Sequence, residues 1–141
     1  MTWIISIVIL FSTCYCCSAL FDRYKFRKII IDNGGIRIIY KALLSGLLDY
    51  TSSRIVKEKK DFISIRGRYF LFPDNIVCGS WDISIQLTFK GTIIKCKTKL
   101  TLKKGVKEKR AWICPHNIDQ GKILSIIKQQ IDKWDVYGII K

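Results

Sequence analysis

Between Trp81 and Lys103 the chain alternates apolar and polar residues twice, with one glycine between the two runs. Trp81, Ile83, Ile85, Leu87 and Phe89 interleave with Asp82, Ser84, Gln86, Thr88 and Lys90, the period of two that marks a half-buried strand. Beyond Gly91-Thr92, Ile94, Cys96, Thr98, Leu100 and Leu102 interleave with Lys95, Lys97, Lys99, Thr101 and Lys103. A two-residue turn at Gly91-Thr92 sets Lys90 opposite Ile93. Phe89 then faces Ile94, Leu87 faces Cys96, Ile83 faces Leu100 and Trp81 faces Leu102. A slip of one residue would exchange the two faces, so the pattern fixes which side is buried. One face is apolar and the other is rich in lysine.

The same alternation extends on both sides. Phe62–Phe72 reads as a strand with Ile63, Ile65, Tyr69 and Leu71 on one face and Arg66 and Arg68 on the other. Gly67 marks an expected bulge, and Pro73-Asp74-Asn75 closes the strand. Lys103-Lys104-Gly105 suits a three-residue hairpin loop with glycine in the left-handed position. Val106 is then expected opposite Leu102, Trp112 opposite Cys96 and Cys114 opposite Ile94, with Lys109 facing Lys99. Arg54–Asp61 reads as a charged connector with a short strand at its start.

Helical spacing replaces the period of two at both ends. Ile36, Ile39, Tyr40, Leu43, Leu47 and Tyr50 predict one amphipathic helix over 35–50, mildly interrupted at Gly46. Near the C-terminus, Ile123, Leu124, Ile127, Ile131 and Trp134 form an apolar stripe behind a cap at Asn117 or Asp119. This helix is expected to pack on the apolar sheet face near Trp81 and Trp112. The fold class is α+β: an N-terminal hydrophobic helix, then a small α-β-β-β-β-α domain. Its antiparallel meander is covered on one face by helices.

Residues 1–21 carry no charged side chain, and Trp3–Phe11 is nearly all apolar. Roughly 20 apolar residues cross a bilayer, so this segment reads as a transmembrane anchor. A cleaved signal peptide is the alternative, with Cys17 and Ala19 as the small residues before a cut at Leu20. Against it, no Lys or Arg precedes the apolar run, whereas Arg23, Lys25, Arg27 and Lys28 follow it. Those four cations favour the cytoplasmic side. Residues 22–34 thus form a basic juxtamembrane segment, and residues 35–141 the small α+β domain. Cys14, Cys16 and Cys17 suit acylation near the membrane or plain packing in an apolar helix.

Charge sharpens this picture. Twenty-five Lys and Arg against eleven Asp and Glu give +14, with the excess between Asp22 and Arg110. Such a balance favours anionic partners, although lysine on exposed strands also suppresses aggregation. Lys90, Lys95, Lys97, Lys99, Lys103, Lys107 and Lys109 are expected to project from one side of three strands as a partner-binding face. Platforms for single-stranded nucleic acid interleave cations with stacking aromatics, and the aromatics of these strands lie on the other parity. An acidic protein or anionic lipid head groups are therefore favoured over nucleic acid.

Candidate chemistry is sparse. His116 is the lone histidine, two residues after Cys114, but Cys114 faces the core, where a thiol is inert. Cys78, Cys96, Cys114 and His116 have no metal-knuckle spacing. Neither GxGxxG nor GK[ST] occurs. No catalytic, metal or cofactor residue is expected, and no cofactor. The sequence predicts a non-enzymatic, single-pass, membrane-anchored interaction domain, its soluble part cytoplasmic. It would bind an acidic protein or an anionic membrane surface. The alternative is an exported basic binding or inhibitor-like protein, secreted or periplasmic, with a cleaved signal peptide.

Overall fold

Without a charge or proline to interrupt it, the N-terminal apolar run is helical throughout, and the helix (α1, Thr2–Asp32) continues through the basic residues that follow. The computed structural model describes residues 2–71, 74–101 and 106–133. Gly34 and Gly35 end α1 with φ of 80° and 84°, the left-handed region that L side chains avoid. The Gly35 N–H donates to the Ile30 carbonyl (2.8 Å) and the Gly34 N–H to that of Ile31 (3.0 Å). This paired pattern is a Schellman stop.

The expected single helix over 35–50 is two, α2 (Ile36–Ile39) and α3 (Lys41–Leu48), broken at Tyr40 with φ −110° and ψ 32°. Gln120 stitches the break: the Leu43 N–H donates to its Oε1 (3.1 Å), and its Nε2 donates to the Ile39 carbonyl (2.7 Å). Gly46 is no interruption. A Cβ there would collide with Leu124, so the glycine lets α3 approach the last helix, α4 (Gln120–Asp132). Asp119 caps α4, its carboxylate accepting from the Gly121 N–H at 2.8 Å.

Five strands form one antiparallel meander in chain order. They are β1 (Arg54–Lys59), β2 (Phe62–Leu71), β3 (Ile76–Thr88), β4 (Gly91–Leu100) and β5 (Lys107–Cys114). The expected charged connector is thus largely an edge strand, whose alternation is masked by charges on both parities and by a bulge between Ile55 and Lys57. The second bulge lies between Tyr69 and Phe70, not at Gly67. Gly67 sits opposite Trp81, and its missing side chain leaves the space that the indole fills.

Both hairpin registers differ from the expectation by an even number of residues, so the faces survive while the partners change. The β3–β4 turn is Phe89-Lys90, with Thr88 paired to Gly91, Leu87 to Thr92, Ile85 to Ile94 and Ile83 to Cys96. The Thr88 hydroxyl donates to the Gly91 carbonyl at 2.7 Å and clamps this turn. Gly91 serves a different purpose: a Cβ there would stand 2.7 Å from the Cys114 carbonyl oxygen, so glycine permits β5 to come close. Across β4 and β5, Trp112 pairs with Ile94, Cys114 with Thr92 and Lys109 with Lys97. Leu102 and Trp134 lie outside the described residues, so the contacts expected of them do too.

The helices cover one side of the sheet. Ile63, Ile65, Tyr69, Trp81, Ile83, Ile85, Ile94 and Cys96 meet Tyr40, Leu43, Leu47, Ile123, Ile127 and Ile131 in one buried cluster. Each such side chain contributes roughly 1.5–3 kcal/mol on burial. Ile30 of α1 belongs to the same cluster. The N-terminal helix is therefore packed into the domain at its C-terminal end.

Candidate functional site

The face of the sheet away from the helices is open to solvent, and its cross-strand pairs line up in rows. Nearest the β3–β4 turn the row reads Lys59, Phe62, Gln86, Ile93, Ile113. The next is Lys57, Ser64, Ser84, Lys95, Ala111. Beyond it come Arg54, Arg66, Asp82, Lys97, Lys109, and then Arg68, Ser80, Lys99, Lys107. The surface is graded: apolar residues gather at the turn end, and cations dominate the two far rows.

Of the expected partner-binding lysines, Lys95, Lys97, Lys99, Lys107 and Lys109 lie together, exposed, on β4 and β5. Lys90 is in the turn rather than on the strand face. Lys103 lies outside the described residues. Lys109 faces Lys97, not Lys99, and Lys107 faces Lys99. Two successive rungs therefore pair lysine with lysine, and like charges on directly opposed residues destabilise a sheet.

Little on this face relieves that repulsion. Asp82 is its one carboxylate among the described strand residues, and it is engaged by Arg66, whose Nε lies 2.6 Å from Oδ1. Glu108 projects to the other side, paired with Thr98. There Lys133 Nζ (3.0 Å) and Arg110 Nε (3.1 Å) hold its carboxyl below the ordinary value of 4.5, the Lys133 hydrogen bond contributing most. The basic surface extends beyond these lysines. Arg54, Lys57 and Lys59 of β1 and Arg66 and Arg68 of β2 share it, and the charge on both parities of β1 hides this strand in the sequence.

A shallow depression of about 280 Å³ opens on the face between Phe62, Ser64, Ser84, Arg66, Asp82, Lys95 and Lys97. Phe62 of β2 brings one aromatic to this face, outside the three strands to which the expectation applies. It sits at the edge, under Lys57 at 6.0 Å from Nζ to ring centroid. The two most basic rows hold no aromatic, so stacking is not interleaved with their charge.

The remaining candidate chemistry separates rather than converges. All six cysteines are free. Burial pushes the Cys96 thiol up to about 12 and raises those of Cys78 and Cys114. Cys114 pairs with Thr92 and Cys96 with Arg110, so these two thiols do not face each other. His116 bonds to neither. Its Nδ1 lies 3.3 Å from the Thr92 hydroxyl, which shares a 2.6 Å hydrogen bond with the buried Tyr40 phenol. Burial raises the Tyr40 phenol above 10.0, and the Thr92 bond opposes that rise. Among the described residues, no group of three or more His, Cys, Asp and Glu could hold a metal ion.

Within α1, the stretch from Trp3 to Asp32 is long and apolar enough to cross a membrane, with a window of mean hydropathy 2.2 of which none is buried. A signal sequence meets the same criterion. Comparison with family models, curated proteins and solved structures finds no match.

Proposed function

We propose that this chain is a non-enzymatic, single-pass, membrane-anchored interaction domain. In this reading, the two far rows of the open sheet face bind an acidic protein partner. The carrying observation is the pair of opposed lysine rungs, Lys97–Lys109 and Lys99–Lys107, on a face where the one carboxylate among the described strand residues, Asp82, is already engaged by Arg66. An acidic segment laid across both rungs would convert repulsion into attraction at each. The grading of the face favours a protein over the bilayer as its ligand. These rows lie up-strand from the turn end, where Arg23 of α1 lies over the Phe89 ring, with Lys99 eight residues beyond Gly91. At roughly 3.3 Å per residue, that exceeds the Debye length of about 8 Å over which a charged leaflet acts.

The anchor is favoured over a cleaved leader by continuity. The helix runs through Ala19-Leu20 without a break, and Phe26 and Ile30 beyond it pack on the domain. The cations Arg23, Lys25, Arg27 and Lys28 favour a cytoplasmic domain.

Binding of polyglutamate to the full chain in nanodiscs of neutral lipid tests the surface. Replacing Lys97, Lys99, Lys107 and Lys109 by Gln is expected to weaken binding severalfold and flatten its salt dependence. Unchanged binding would reduce the lysines to a solvated surface. Intact mass of the mature protein tests the anchor, which loss of Met1–Ala19 would exclude.

A further inference from the structure

Arg23 is the first cation after the apolar run, placed where α1 would leave a bilayer. Its guanidinium lies over the Phe89 ring at 5.7 Å from the centroid, and Lys90 Nζ approaches the same ring at 5.6 Å. One helical turn further, Phe26 packs on His116 with ring centroids 4.9 Å apart. These contacts hold the β3–β4 turn and the end of β5 beside the point of emergence. Phe89 is 42% exposed at the tip of that turn, although the sequence pattern assigns it to the core.

A second apolar group lies on the open face in the row nearest the same turn. Ile113 is 76% exposed, the most of any large apolar side chain among the described residues after α1. It pairs with half-buried Ile93, and its Cγ2 stands 3.7 Å from where a Cβ on Gly91, next to the turn, would lie. Apolar side chains fringed by Arg23 and Lys90 match the layering of a leaflet surface, with anionic head groups outside and acyl chains beneath. We infer that Phe89 and Ile113 dip into the bilayer surface on the side where Arg23 emerges. They would form a second membrane contact that sets the domain with its turn end on the lipid.

This rests on α1 being a retained span, and one experiment tells the two apart. The full chain, labelled at isoleucine δ1-methyl groups, is placed in nanodiscs of phosphatidylcholine and phosphatidylserine. Some discs carry a doxyl spin label high on the acyl chain, and an Ile113→Val variant assigns the Ile113 signal. Expected are strong paramagnetic losses for Ile113 and for Ile5 and Ile7 of α1. Ile76, exposed at the other end of β3, keeps its intensity. If Ile5 and Ile7 lose intensity but Ile113 matches Ile76, the membrane contact is refuted while the anchor stands. If Ile5 and Ile7 keep theirs, the anchor fails and the contact with it.

Discussion

Reversing one charge in the opposed rungs should strengthen the isolated fold while it weakens binding. Lys109 faces Lys97, whose other cross-strand neighbour, Asp82, is held by Arg66 on the next strand. Cβ atoms of directly opposed residues stand about 4.5–5.5 Å apart, and two ammonium groups that splay reach roughly 7 Å. At that separation in water the repulsion is about 0.6 kcal/mol. Screening over a Debye length of about 8 Å leaves roughly 0.25 kcal/mol at physiological salt. Lys109→Glu turns this into attraction of similar size, so the gain is about 0.5 kcal/mol there and about 1 kcal/mol at low salt. Urea denaturation of the full chain in neutral nanodiscs reads it. With an m-value of about 2 kcal/mol/M, the midpoint rises by roughly 0.25 M, more at low salt. Lys109→Gln should give about half of this. Polyglutamate affinity should fall for both variants, further for the glutamate. A midpoint that drops, or a difference that ignores salt, would refute the reasoning. The lysines would then relax their repulsion by splaying alone, and the rungs would say nothing about a ligand.

Three further outcomes follow from the packing. Gly67→Ala places a methyl group within the seat of the Trp81 indole, so denaturation should show a loss of about 1–3 kcal/mol or more; a neutral result would mean the ring is seated elsewhere. Thr92→Val removes the hydrogen-bond partner of the buried Tyr40 hydroxyl and should cost about 1–3 kcal/mol, with Tyr40→Phe in the same chain recovering part of the loss. Glu108 has a folded-state pKa below 4.5, so its stabilisation is complete above that value and lost as the pH falls below it. Partial exposure limits the effect to about 1 kcal/mol or less. Glu108→Gln should remove this acid-side dependence in pH-dependent melting, and an unaltered profile would assign it to another group.

What the residues reveal in advance divides by the kind of information each interaction carries. The faces of β3, β4 and β5 were readable because alternation reports parity directly. The registers were not, because a shift by two leaves parity intact and the turn must decide. There Gly91 misled, since it serves the close approach of β5 rather than the turn. The edge strand β1 was obscured by charge on both parities, RIVKEK, and by its bulge. The break at Tyr40 is written in no local signal. It depends on Gln120, eighty residues away, which supplies the hydrogen bonds that the helix gives up. The lysines were found, but their gathering with Arg54, Arg66 and Arg68 into rows required the pairing of β1, β2 and β3.

The Schellman stop at Gly34-Gly35 and the burial of Ile30 leave no slack between α1 and the sheet. As the retained span proposed above, α1 would act as a lever rather than a leash. A flexible tether would let the domain sample a hemisphere, whereas a helix locked into its own cargo fixes height and azimuth together. Spanning helices tilt by about 20° on average, and a ten-residue strand is roughly 33 Å long. A tilt of that size would swing the far basic rows sideways by about 11 Å. Bilayer thickness, as one contributor to tilt, would thereby aim cations that lie far from the lipid.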